Sequence, residues 1–177
     1  MKTYVALLSA ISTAIACTLL VAKDSVKDQS NESKILSNTR QLTFAGKRSG
    51  EGYYSSDGTQ MIFQSEREPG NPFYQIYLMD LETGDTNRVS PGIGKTTCAW
   101  IHPEGEKVMF SSSHSDPNAK AKQVDEIEER KSRRIRKYSW DYDENYEIWE
   151  TATDGSNPVN LTNCKGYDAE GSYSPDG

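Results

Sequence analysis

Short patterns recur along this chain at two shared spacings, and a chain that repeats at fixed spacing is confined to arrays of one small structural unit. Gln41-Leu42-Thr43 returns as Arg88-Val89-Ser90 and again as Asn160-Leu161-Thr162. Tyr54-Ser55-Ser56-Asp57-Gly58 returns as Ile101-His102-Pro103-Glu104-Gly105 and as Tyr173-Ser174-Pro175-Asp176-Gly177. Positions 42 and 89 lie 47 apart, as do 57 and 104; positions 89 and 161 lie 72 apart, as do 104 and 176. Two independent markers thus share one period, and the second unit is longer by 72 − 47 = 25 residues. The apolar triplet Met61-Ile62-Phe63 recurs as Val108-Met109-Phe110 at 47, and Ile76-Tyr77 matches Ile148-Trp149 at 72. The extra residues are therefore confined to the stretch between Phe110 and Ile148.

Each unit reads as four short strands. In the first unit the expected strands span about 51–55, 60–65, 75–80 and 86–89, with turns at Asp57-Gly58 and Thr83-Gly84 between them. In a Pro-Asp-Gly turn, Pro presets φ for the first corner, Asp bonds the local backbone, and Gly takes positive φ without penalty. Four antiparallel strands in roughly 40 to 50 residues, repeated, is the pattern of a propeller blade. A β-sandwich is the rival, but a sandwich need not repeat a fixed motif at a fixed offset. Hydrophobic residues are only 34% of the chain, yet 10 Tyr, 4 Phe and 3 Trp can build thin sheet cores at period-two spacing. The expected fold class is all-β, a partial β-propeller of four-stranded antiparallel blades with one helical insertion and an N-terminal signal or anchor segment.

That N-terminal segment carries Lys2 near its start and runs apolar from Val5 to Ala22, without a further charge until Lys23. A short basic start, an apolar stretch and small residues are the parts of an export signal. Three fates stay open for it. Ala14-Ile15-Ala16-Cys17 resembles a bacterial lipobox, with Cys17 the lipidation candidate, although Ala14 stands where Leu is preferred. Cleavage near Ala22 is the second. A retained anchor is the third, since the 18 residues from Val5 to Ala22 barely suffice to span a bilayer. Lys23 to Ser37 is polar and aperiodic, a tether. The expected organisation is residues 1–22 as signal or anchor, 23–38 as linker, and 39–177 as the incomplete propeller, with two full blades, the first strand of a third and the insertion at about 114–145.

The Leu-Thr pair, the aromatic-Ser-Pro-Asp-Gly turn, the apolar-Phe-Ser strand and the Ile-Tyr-X-Met-Asp strand resemble the WD40-like repeat of TolB and its periplasmic relatives, over about Thr39 to Gly177. The stretches Cys98-Ala99-Trp100, Tyr138 to Asp143 and Gly166 to Gly171 resemble further a subgroup of bacterial TolB-like proteins. The resemblance implies an exported bacterial protein, periplasmic or associated with the outer membrane, that touches a membrane only through its N-terminal segment. It implies a non-catalytic propeller that binds a protein or another cell-envelope ligand. It also admits the N-terminal propeller of a larger enzyme, of prolyl-oligopeptidase or oligogalacturonate-lyase type. Ser174-Pro175-Asp176-Gly177 is the turn after the first strand of a unit, and propellers close at four to eight blades, so the sequence is expected to be a fragment of a longer propeller.

The insertion carries a charged run from Ala119 to Lys137 that reads as a helix with an Asp cap and Pro in its first turn. It reads as a solvated helix, with a partner-docking helix as the alternative. Asp141, Asp143 and Asn145 then fall at the one, three and five positions of a calcium loop, but Tyr146 stands where that loop needs Gly and Ala152 where it needs Glu. Aromatics at 138, 140, 142 and 146 alternate with polar residues, so a half-buried strand is the simpler reading and these three are only weak metal candidates. His102 occupies the turn place of Ser56 and Ser174, and His114 reads as a polar loop residue. Cys98 and Cys164 both follow a Leu-Thr-like strand, which makes a disulfide between adjacent blades conceivable in an exported protein, though the two positions are not equivalent.

With a net charge of −6 and a pI near 5.0, the chain lacks the basic surface that phosphate binding requires, which argues against a nucleic-acid partner. It contains no nucleophile elbow, metalloprotease helix, phosphate loop or dinucleotide fingerprint, so no catalytic residue and no cofactor are expected. Gly171-Ser172-Tyr173-Ser174-Pro175 only superficially resembles an elbow, because it lies on a repeat strand and turn.

Overall fold

The computed structural model describes residues 34–134, 137 and 142–177. Its regular structure lies in the second of two compact units, residues 41–177. Strands β1 (Ser49–Tyr54), β2 (Gln60–Ser65), β3 (Gln75–Asp80) and β4 (Thr86–Arg88) form one antiparallel sheet in sequence order. Strands β5 (Thr96–Ile101), β6 (Lys107–Ser112), β7 (Glu147–Ala152) and β8 (Val159–Asn160) form the second in the same order. Helix α1 (Ala119–Lys131) lies between β6 and β7, inside the expected insertion.

Period-two alternation explains why two thin sheets hold together. In the β2–β3 register Ile62 stands opposite Leu78, and Gln64 opposite Ile76. Ile62, Ile76 and Leu78 join Val89, Ala99, Ile101, Val108 and Phe110 in one core between the blades, edged by Tyr53 and Trp149. The alternate residues Met61, Phe63, Tyr77 and Met79 form a second cluster on the far face, with Leu42 and Leu81 against it. Strands β2, β3 and β6 are therefore buried along almost their whole length, while β7 is mostly half-buried.

The repeated hydroxyl has a structural task. Ser90 Oγ accepts a hydrogen bond from the Ile76 amide at 3.0 Å and donates to Gln75 Oε1 at 2.7 Å. In the second blade Thr162 Oγ1 accepts from the Ile148 amide at 3.0 Å and donates to Glu147 Oε2 at 2.5 Å. Both serve a backbone N–H at the start of the third strand of a blade, where a buried unpaired donor is costly. The turns repeat as well: Gly58, Gly105 and Gly177 donate their amides to the carbonyls of Ser55, His102 and Ser174 at 2.9, 2.8 and 3.0 Å.

Two expectations are corrected. Residues 161–177 contain no strand, so the expected first strand of a third unit is only a strand-like path: it has its turn but no ladder partner. Helix α1 stops at Lys131, and its N-cap is Asn118 without a side-chain cap. Asp116 Oδ1 instead accepts from the Asn118 amide at 2.9 Å, so Asp116 and Pro117 precede the helix rather than start it.

Candidate functional site

In an antiparallel four-strand meander, the β2–β3 loop and the exit from β4 lie at the same end of the sheet. The link from β6 through α1 to β7 emerges at that end of the second blade. Three long connections therefore gather on one face, which is where a propeller's variable loops present function. Polar side chains lock them together. Gln123 of α1 accepts from the Gly94 amide at 2.9 Å and donates to the Gly70 carbonyl at 3.1 Å, joining the helix to both other loops. The Arg130 guanidinium reaches both oxygens of Glu66 at 3.0 Å and the Pro72 carbonyl at 2.8 Å. Glu66 is 3% exposed and also holds Lys47 and Arg48, each at 3.0 Å. Burial pushes its carboxyl up, but Arg130, Lys47 and Arg48 outweigh this and hold it below the usual range. The helix is thus docked through Gln123 and Arg130, while most of its residues stay solvated, with the ion pairs Glu126–Arg130 and Glu128–Lys131 along its surface.

A second network anchors the far end of the insertion. Lys122 Nζ lies 2.7 Å from Asp116 and 2.8 Å from Asp143, and Lys95 Nζ lies 3.6 Å from Asp143. Burial raises the Asp143 carboxyl, while Lys122 and the Asn145 amide more than offset it, leaving the group below its ordinary value. Of the calcium-loop candidates, Asp141 lies outside the described residues. Asp143 is spent on Lys122, and Asn145 donates to Asp143 at 3.0 Å instead of pointing a ligand oxygen with it. An ammonium already neutralises that carboxylate, and no group of three potential metal ligands occurs among the described residues.

Beside this anchor an open groove of about 450 Å³ runs between the insertion and the segment that leaves β8. Ser115, Asp116, Glu144, Asn145, Glu147 and Asn163 line it. At its edge the segments 142–146 and 165–168 are joined by hydrogen bonds from the Asp168 amide to the Tyr146 carbonyl at 3.1 Å and from Gly166 to Glu144 at 3.4 Å. Their tyrosines form a ladder: Tyr146 meets Tyr167 edge-on at 5.5 Å, and Tyr142 stacks on Tyr167 at 5.4 Å.

The blades converge at β1 and β5, where Tyr53 stacks on Trp100 at 4.1 Å. Here the repeat holds a feature that residue identity hides. Glu51, Cys98 and Glu170 take φ of 43°, 50° and 64°, and they are separated by the same 47 and 72 residues as the other markers. The first two sit at β-bulges, between Gly50 and Gly52 and between Thr97 and Trp100. A left-handed residue at a bulge turns its side chain out of the pleat, and Cys98 Sγ comes within 3.7 Å of Glu51 Oε2. Burial, with Glu51 and Glu170 close by, raises the Cys98 thiol.

Cys98 and Cys164 are both free thiols. Cys164 Sγ donates to Asp168 Oδ2 at 2.9 Å, so each thiol has its own acidic neighbour and the considered bridge is not formed. Cys17 lies outside the described residues. His102 sits in its turn with its ring edge-on to Tyr173 at 4.7 Å, and His114 packs against Trp149 at 4.3 Å, where burial lowers its basicity. His102 has no nucleophile beside it among the described residues, and His114 Nδ1 lies 2.9 Å from the Ser112 hydroxyl, which is fully buried and so closed to a substrate. Ser174 closes its turn, as the repeat reading requires.

Two four-stranded antiparallel blades, packed face to face and related by fixed offsets, define a partial β-propeller. It is TolB-like. TolB from Acinetobacter baumannii matches with a TM-score of 0.52 and 23% identity over 78% of this chain and 27% of that one. The TolB-designated protein of Agrobacterium tumefaciens matches with a TM-score of 0.49 and 21% identity over 72% of this chain and 38% of that one. The chain thus spans well under half the length of either, and the likeness is one of fold. The GH74 enzyme of Niastella koreensis matches with a TM-score of 0.37 and 10% identity over 64% of this chain and 15% of that one. No protein-family pattern and no curated protein sequence matches the chain.

Proposed function

We infer that this chain is part of an exported, non-catalytic propeller whose loop face binds a protein or other ligand of the bacterial cell envelope. The observation that carries the reading is how the loop face spends its polar groups. Glu66, Arg130, Gln123, Lys122 and Asp143 hold three loops in one arrangement, and beside them stands an open groove. Rigid loops around an accessible groove suit recognition, because little ordering entropy is lost on binding. Export follows from the N-terminal apolar run, and Cys17→Ser separates lipidation from the other fates: the variant loses membrane association only if Cys17 carries the lipid.

The test is in-cell cross-linking of the chain to envelope components, comparing wild type with Lys165→Glu in the groove wall and Thr83→Lys in the β3–β4 turn at the opposite end. The expected result is one cross-linked species that Lys165→Glu removes and Thr83→Lys retains. Cleavage of Pro-containing peptides or of oligogalacturonate by the purified chain would overturn the non-catalytic reading.

A further inference from the structure

We propose that the loop-face groove, with the tyrosine ladder at its edge, is a subsite for a neutral pyranose oligosaccharide; this rests on the binding-scaffold reading and gives it a ligand class. The groove's volume of about 450 Å³ falls within the range of small-molecule sites, about 300–1,000 Å³. Most of the residues that line it carry hydrogen-bonding side chains, with Pro117 and Cys164 the exceptions, and their carbon stems supply apolar surface between the polar atoms. It offers no pocket for a Leu or Phe anchor of a peptide, and an apolar ligand would leave its polar groups unpaired.

A pyranose fits both halves of the site. Its hydroxyls donate to carboxylates and accept from carboxamides. Ser115 and Asn163 make no side-chain hydrogen bond among the described residues, and Glu144 is tied only to Lys165, at 3.5 Å on the surface. Its C–H face is weakly positive and suits the negative face of an aromatic ring. Tyr142 presents such a ring at 63% exposure. Tyr167 backs it at an interplanar angle of 24°, and Tyr146, itself 4% exposed, braces Tyr167. Tyr142 lies two residues from Glu144 and Tyr167 two from Lys165, so the backbone segments that carry the platform continue into the groove wall, while the rings themselves stand outside its lining. An exposed ring stacked on a second ring that a third one braces is a stacking platform with one face left to solvent.

Charge narrows the class. Lys122 and Lys95 together balance Asp116 and Asp143, leaving Glu144 and Glu147 against Lys165. That balance disfavours uronates and phosphorylated glycans, and the net charge of −6 disfavours nucleotides stacking on the same ring.

The experiment titrates the full 177-residue chain with chitotriose, cellotriose and trigalacturonate, read by saturation-transfer NMR and chemical-shift titration. The expected result is saturable binding of a neutral trisaccharide with Kd at or below about 1 mM. Tyr142→Ala and Asn163→Ala should each weaken it about five- to tenfold, and Tyr54→Ala, which removes another exposed tyrosine, should leave it unchanged. Three results overturn the proposal: no saturable binding of either neutral sugar, trigalacturonate bound as tightly as they are, or Tyr142→Ala without effect. If the cross-linked partner still depends on Lys165 while no sugar binds, the glycan proposal fails and the scaffold reading stands; loss of both sinks both.

Discussion

Arg130→Ala separates a helix that is docked from one that merely projects. The substitution removes two charge-assisted hydrogen bonds to Glu66 and one to the Pro72 carbonyl. Charge-assisted bonds contribute about 1.5–3 kcal/mol each, but the Arg130 side chain is 35% exposed and Glu66 keeps Lys47 and Arg48, so the carboxylate is not orphaned. Discounting for solvent leaves a net cost of about 2 kcal/mol. For a domain of this size about 3–5 °C is lost per kcal/mol, so calorimetry should show a fall of roughly 6–10 °C. Arg130→Lys, which keeps the charge without the planar fork, should fall between. Amides of α1 should exchange faster in the variant while those of β2 and β6 keep their protection. The folded Glu66 carboxyl lies below its unfolded value of about 4.5, so its contribution is complete above that pH and is lost as pH falls through the depressed folded value. The gap between wild type and variant must therefore narrow as pH falls below that value, leaving the part due to the Pro72 carbonyl. An unchanged melting temperature together with unchanged helix exchange would refute the docking.

Two further substitutions probe the repeat. Ser90→Ala strips the Ile76 amide and Gln75 Oε1 of a buried partner and should cost about 1–3 kcal/mol in urea unfolding, whereas Ser90→Thr, the residue the next unit uses as Thr162, should cost little. Gly155→Ala should destabilise more than Gly84→Ala. Both glycines have φ near +80°, but a Cβ at 155 would lie 2.7 Å from the Val89 carbonyl oxygen and one at 84 meets nothing, so equal melting temperatures would contradict the contact between blades.

Much of the fold is legible in the sequence because its repeats are of residue type. The strands expected at 60–65 and 75–80 coincide with β2 and β3, and those at 51–55 and 86–89 differ from β1 and β4 by a residue or two. The extra 25 residues hold the helix. What sequence reading missed are repeats of conformation. Glu51 and Glu170 are alike but Cys98 between them is not, yet all three share a left-handed backbone at the period already in hand, so checking the offsets against every position would have found them. The pair Gln75–Ser90 and the pair Glu147–Thr162 hide in the same way, because amide and carboxylate do one task. The docking of α1 had no local signal: Gln123 and Arg130 read as surface residues until their partners, 29 to 64 positions away, are brought to the same face. The calcium spacing is weak in the sequence for want of Gly and Glu at its later positions, and Lys122, a residue of another element that pairs with Asp143, leaves no local signal there.

The blade architecture is tested most directly by nuclear Overhauser contacts across and within the two sheets. The account predicts contacts between the rings of Tyr53 and Trp100, between Phe110 and Trp149 across β6 and β7, and between the Ile76 amide and Ser90. It predicts no backbone ladder between β2 and β6, since each is the second strand of its own blade. A hydrogen-bonded register joining Met61-Ile62-Phe63 to Val108-Met109-Phe110 in one sheet would contradict it.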